Sequence, residues 1–214
     1  MTPEILLEAM AMTPPVLPCS PTAWEPTLHR LSIAQYHEMA RQGILESGAP
    51  IELIEGVLVR KMTVNNAHMF ATGYLFDLLV RWFPLGWFVN CQMPITTKDS
   101  EPEPDIAVVR GDRRQFLVQD RKPGPADIEF LIEVSDSSLA FDRTTKLEIY
   151  ARASIQQYWI VDVEGRRVAV YTDPTGPGTA PSYQHQRDFV PGQEIPVLLS
   201  GKEVGRVEVA ELFL

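Results

Sequence analysis

Cysteine is nearly absent from the chain. Cys19 and Cys91 are the two it has, far apart and in no CxxC pair. That rules out a cysteine-built zinc set or a disulfide framework and predicts free thiols in a reducing cytosol. Positive charge is also scarce, with 19 Lys and Arg against 28 Asp and Glu and a formal net charge of -9. A surface that is a nucleic-acid platform throughout is thereby excluded, because neutralising phosphates takes clustered Lys and Arg. A local basic groove around a metal-bound phosphate is still compatible, since the ion brings charge of its own. Uncharged runs are broken by Pro, Gly or Asn before they reach spanning length, so no membrane helix is expected. The first residues carry Glu4 and Glu8 and no basic stretch, unlike a signal peptide. A soluble, cytoplasmic protein is the expectation.

What is present is a globular composition, 45% apolar and 22% charged, over 214 residues, enough for one domain with a real core. Six of the 18 prolines fall in the first 26 residues, so 1–27 reads as a proline-rich N-terminal arm and 28–214 as the domain. Ser32 and Gln35 have capping-box spacing for a helix over 32–43 that Gly43 can end. IELIEGVLVRKM (51–62) alternates as a strand, with Gly56 at a bulge or turn. Asn65 or Asn66 can cap a second helix whose apolar stripe runs through Phe70, Tyr74, Leu75, Leu78, Leu79 and Trp82. Strands are predicted at 87–97, IAVVR, FLIEV, 157–162 and 167–171. FLIEV is apolar on both faces, as in a central strand. Asp142 is expected to cap a helix over 143–153, and a β-rich tail follows the loop at 173–181. The order fits one α+β, mixed-sheet domain.

Three ionisable residues break the apolar pattern. Asp105 shares a strand face with Ala107 and Val109. Glu133 lies between Ile132 and Val134, where its charge needs a cation or donors. Lys146 falls on the helix face of Tyr150 and Ala153, and an inward ammonium needs an anion. Two carboxylates on neighbouring strands can hold Mg²⁺ or Mn²⁺, which favour oxygen ligands. Such an ion lowers the pKa of a bound water and offsets charge on a phosphoryl oxygen. A nearby lysine can orient that water or stabilise developing charge. The combination suits phosphodiester hydrolysis.

PDIAVVRGD, followed by IEVSDSSLAFDRTTKLEIYARASIQQYWIVD, closely resembles the Uma-type restriction endonucleases. These form a bacterial family within the nuclease superfamily named for its PD…(D/E)xK motif. IELIEGVLV resembles the family's acidic strand before a glycine, and NNAHMFATGYLFDLL its histidine-bearing helix. The resemblance runs from about residue 31 to the C-terminus and is most specific over 130–162. It implies an α/β (α+β) fold with a restriction-endonuclease-like mixed sheet flanked by helices. It also implies a catalytic set of Glu52, Asp105, Glu133 and Lys146, with Asp105 and Glu133 as metal ligands. The superfamily's usual lysine would sit two residues after Glu133, where this chain has Ser135; Lys146 matches the family's displaced lysine on the next helix. Ser154 stands where relatives often have Gly at the helix end.

Each residue also has a plainer reading. Glu133 and Lys146 could form a structural ion pair with no metal, and Glu55 competes with Glu52 for the inward role. Glu101 and Glu103 read as solvated loop charges, His68 as a capping or packing histidine, Asp142 as an N-cap or an outer contact of the site, and Trp82, Trp87 and Trp159 as core. Arg110, Arg113, Arg114, Arg121 and Lys122 are the best phosphate-contacting stretch. The expected function is a divalent-metal-dependent endonuclease acting on DNA, as a homodimer because cutting a duplex needs two symmetric sites. The alternative is an inactive nuclease-fold protein that binds a nucleic-acid or protein partner. A nuclease acting on RNA or on a mobile-element intermediate is a third reading.

Overall fold

In the computed structural model, which describes residues 28–213 apart from Ser47, helix α1 spans Ile33–Arg41. Ser32 caps it, and Ser32 and Gln35 exchange side-chain and backbone bonds in a full capping box. Gly43, just past the end, takes φ 72, a left-handed conformation that costs glycine nothing. The arm predicted over 1–27, with Cys19, lies outside the described residues.

The segment 51–62 is two strands rather than one: β1 (Ile51–Ile54) and β2 (Val57–Arg60) pair antiparallel. Glu55 and Gly56 both take positive φ between them, at 47 and 76, as a tight hairpin turn demands. Helix α2 (Asn66–Trp82) is capped by Asn65, whose side chain accepts from the His68 amide. Its buried face is His68, Ala71, Thr72, Leu75 and Leu79, so the predicted stripe is only partly right. Phe70 instead stacks on Tyr74 toward the outside, while small Ala71 lets the helix approach the sheet.

The main sheet among the described residues has six strands in the order β3 (Trp87–Cys91), β4 (Ile106–Arg110), β5 (Ile128–Ser135), β6 (Gln157–Asp162), β7 (Arg167–Pro174) and β8 (Tyr183–Phe189). The strand expected over 87–97 stops at Cys91. A short helix, α3 (Arg113–Val118), follows β4. β5 and β6 run parallel and every other neighbouring pair is antiparallel, so the sheet is mixed. The parallel pair needs a crossover. It is a helical stretch of α4 (Leu139–Phe141), a π turn (Asp142–Lys146) and α5 (Leu147–Arg152).

Alternation along β5 sorts its side chains between two cores. Phe130, Ile132 and Val134 join α2 and the hairpin of β9 (Glu194–Leu199) and β10 (Lys202–Glu208). Leu131 faces Leu147, Ile149 and Tyr150 of the crossover helix. Trp159 is fully buried in the first core, whereas Trp82 and Trp87 pack against its edge. Gly205 of β10 lies so close over the Trp82 ring that a Cβ there would come within 2.4 Å of it. No helix among the described residues is long and apolar enough to cross a membrane.

Candidate active site

Glu133 and Ser135 continue the face of β5 that carries Leu131, at the end where the crossover helix begins. Polar side chains thus replace apolar ones just where sheet and helix diverge. β4 and β5 pair Ile106 with Ile132, so one further step of that register sets Asp105 opposite Glu133. Directly opposed residues on one face have Cβ atoms about 5 Å apart. Both carboxylates are buried, at 8% and 3% exposure. β1 contributes Glu52, at 4% exposure, through the bridge that joins Leu53 to Glu101. Lys146, 7% exposed, enters from the π turn.

The four predicted residues therefore meet, and they line a cavity of about 220 Å³. Lys146 Nζ donates to Glu133 Oε1 at 2.9 Å and lies 3.9 Å from Glu52 and 3.9 Å from Asp142. Tyr150 Oη donates to the same Glu133 oxygen at 2.7 Å. Asp105 Oδ2 accepts the Val134 amide at 2.8 Å and meets His68 Nε2 at 3.1 Å. Its Oδ1 has one long contact, to Gln92 at 3.4 Å. Glu52 Oε1 accepts the Glu103 amide. Glu55 faces away and pairs with Arg152 at 2.7 Å, so the hairpin puts Glu52 inward and Glu55 outward.

Three buried carboxylates, Glu52, Glu133 and Asp142, thus surround one ammonium, and a fourth, Asp105, lines the same cavity. Burial, and then the neighbouring acids, push Glu133 up to about 8, with Lys146 opposing. Glu52 and Asp142 are likewise raised by burial against the pull of Lys146. Burial alone would lower the Lys146 pKa, but Glu133, Glu52 and Asp142 outweigh it and keep the side chain charged. Asp105 differs: burial raises it, yet His68, the Val134 amide and Lys146 together hold it below the usual carboxylate range. Neighbouring acids with opposite shifts are a mark of functional sites.

Several expectations need correction. Asp142 is no N-cap: its backbone is helical within the π turn, and its buried Oδ2 accepts the hydroxyls of Ser135 and Ser138. Glu101 is no solvated loop charge: at 2% exposure it binds His37, Lys122 and Thr96. Glu103 is half-buried against Lys61. The basic stretch is largely spent on local partners, Arg110 with Glu129, Arg121 with Asp127 and Lys122 with Glu101. Arg113, Arg121 and Lys122 line a separate groove of about 610 Å³.

Sequence alone does not single out His68 or Tyr150 as site residues, and it gives Asp142 no more than an outer contact of the site. The signal for Tyr150 was its place one turn beyond Lys146. For Asp142 it is the pair of serines seven and four residues before it, Ser135 at the end of β5 and Ser138 at the start of the helical crossover. For His68 it is the resemblance of NNAHMFATGYLFDLL to the family's histidine-bearing helix. Cys91 is a free thiol, its pKa raised by burial and by Asp105.

Residues 33–203 match the family model Uma2, described as "Putative restriction endonuclease". Among solved structures, the fold resembles a "putative nuclease belonging to DUF820" from Anabaena variabilis, with a TM-score of 0.58. That likeness covers 82% of this chain and 96% of the other at 16% identity, and at such identity it concerns the fold. No curated protein matches the chain. With the match running over most of its length, the chain belongs to the Uma2 family and has a nuclease-type mixed sheet flanked by helices.

Proposed function

We propose that the protein is a divalent-metal-dependent endonuclease that hydrolyses DNA phosphodiester bonds. One observation carries this reading: three buried carboxylates, Glu52, Glu133 and Asp142, lie within 4 Å of a single ammonium, and a fourth, Asp105, lines the same open cavity, so acids outnumber the lysine at its wall. Asp105 and Glu133 suit Mg²⁺ or Mn²⁺. Each has one oxygen taken by protein donors and a second, Asp105 Oδ1 or Glu133 Oε2, with a weak partner or none among the described residues. Among those residues no three acids, cysteines or histidines form a ready metal cage. Mg²⁺ does not require one, since it commonly takes one or two carboxylates and fills its shell with water and substrate phosphate.

When bound, the ion would lower the pKa of a coordinated water and neutralise charge on the phosphoryl group. Lys146, kept protonated by its acids, stabilises the charge that builds on the phosphorus oxygens or orients the attacking water. His68 and the Val134 amide fix one oxygen of Asp105 and so aim the other at the cavity. Glu52 restrains Lys146 from the hairpin side. Membership of the family supports a nucleic-acid substrate, and a homodimer would supply a second site for the second strand.

The test is cleavage of supercoiled plasmid, single-stranded DNA and RNA with Mg²⁺ or Mn²⁺, by the protein and by Glu133→Ala. Cleavage of DNA that the variant loses supports the proposal; undiminished cleavage by the variant would sink it. A second reading, a non-catalytic binder, draws on the 2.9 Å Lys146–Glu133 pair, which satisfies both groups without an ion. Thermal unfolding that does not respond to either ion would favour the binder.

A further inference from the structure

The position of the superfamily's strand lysine is filled here by Ser135, fully buried and on the Glu133 face. Its hydroxyl is not idle. Ser135 Oγ donates to Asp142 Oδ2 at 2.7 Å, and Ser138 Oγ donates to the same oxygen. Asp142 is 1% exposed and presents its other oxygen, Oδ1, 3.9 Å from Lys146 Nζ. Tyr158 Oη holds the Asp142 carbonyl from β6 at 3.2 Å. The π turn puts Asp142 and Lys146 four residues apart on the inner side of one widened turn, a local geometry often found at functional sites.

We propose that Asp142 is a positioning residue that, clamped by Ser135 and Ser138, holds the Lys146 ammonium in place when Glu133 turns its charge to a bound cation. This rests on the proposed function. Lys146 has three donors but, among the described residues, one hydrogen bond to a carboxylate, to Glu133 Oε1, with Glu52 and Asp142 poised just beyond reach on other sides. Glu133, were it to hold a cation, would accept less strongly from Lys146. The lysine then needs another anion to stay at the reacting phosphate, and Asp142 cannot drift toward the cation because two hydroxyls hold it. Ser135 thus serves the lysine it replaced, through Asp142. The four acids divide into a pair for the cation, Asp105 and Glu133, and a pair for the ammonium, Asp142 and Glu52.

The test compares Asp142→Asn, which keeps an oxygen for both hydroxyls but loses the charge, with the unaltered protein. Single-turnover cleavage should fall about 10- to 100-fold, the usual cost of losing an outer partner in such sites. The dissociation constant for DNA, measured in Ca²⁺, should stay within about 2-fold, because the charge acts on the reacting group rather than on binding. An independent arm needs no activity. In ¹⁵N-lysine NMR, the buried Lys146 ammonium, assigned with Lys146→Arg, should give a slowly exchanging signal that broadens in Asp142→Asn. If the unaltered protein cleaves nothing, the proposed function fails while this arm still decides the role of Asp142. If Asp142→Asn does not fold, Ser135→Ala replaces it, with a smaller loss of rate and the same broadening expected. An unchanged rate together with an unchanged ammonium signal in either variant overturns the proposal, as does an unchanged signal alone where no cleavage exists.

Discussion

Replacing Glu133 with glutamine should stabilise the protein, and more so as pH rises. An ordinary glutamate titrates near 4.5, whereas burial and then Asp142, Asp105 and Glu52 push Glu133 up to about 8 against Lys146. A carboxyl raised in the folded state contributes stability that is fully present below its unfolded value. That contribution is lost as pH climbs through the folded one. The window here is pH 4.5 to about 8. At about 1.4 kcal/mol per pH unit, its full width sets an upper bound on the order of 4–5 kcal/mol. Water in the open cavity relaxes part of that, so about 2–4 kcal/mol is expected. Glutamine keeps the shape, and its amide oxygen can still accept from Tyr150 and Lys146, the two donors now on Oε1. The assay is urea unfolding of both proteins at pH 5, 7 and 9 in EDTA. The stability of Glu133→Gln relative to the unaltered protein should grow by about 2–4 kcal/mol across that range. A difference that stays flat from pH 5 to 9 would show that Glu133 is not held against its charge, and the acid-excess reasoning would fail.

Removing the cation instead should hurt. Lys146→Met leaves three buried carboxylates, Glu52, Glu133 and Asp142, without their ammonium and should cost about 3–5 kcal/mol at pH 8, less at pH 5 where the acids take protons, by urea unfolding. Ser154 closes α5 with φ 59 in a Schellman arrangement, its amide bonded to Ala151 and that of Ile155 to Tyr150. Ser154→Gly should therefore gain about 0.5–1 kcal/mol, seen as a higher melting temperature with cleavage unaltered. Gly205→Ala drives a methyl into the Trp82 ring and should lose about 1–3 kcal/mol by the same measure. Mn²⁺ should raise the melting temperature of the protein but not that of Asp105→Asn, followed by calorimetry over a metal titration.

Much of this was legible because the signals were local. The Ser32–Gln35 spacing, the Asn65 cap and the two-sided apolar FLIEV strand each specify their own element, and all three appear in place. Asp105, Glu133 and Lys146 could be picked out because a charge in an apolar strand or on an inward helix face has to be answered by something across the fold. What answers it was harder to read. Asp142 looked like a cap because an aspartate before a helix usually is one. The chain was already helical at Leu139, and the π turn rotated the carboxylate inward. Glu101 looked solvated because its partners, His37 and Lys122, lie 64 and 21 residues away and meet it only through the fold. The choice between Glu52 and Glu55 turned on the hairpin turn itself, since one strand or two gives opposite faces to different acids.

The central claim is that Asp105 and Glu133 gather a divalent cation beside Lys146. It is tested most directly by anomalous scattering from a crystal soaked in Mn²⁺ at a concentration that supports cleavage. The expected result is a single strong peak in contact with both carboxylates. The contrary result is the absence of density between them, or a peak elsewhere, while cleavage in solution persists.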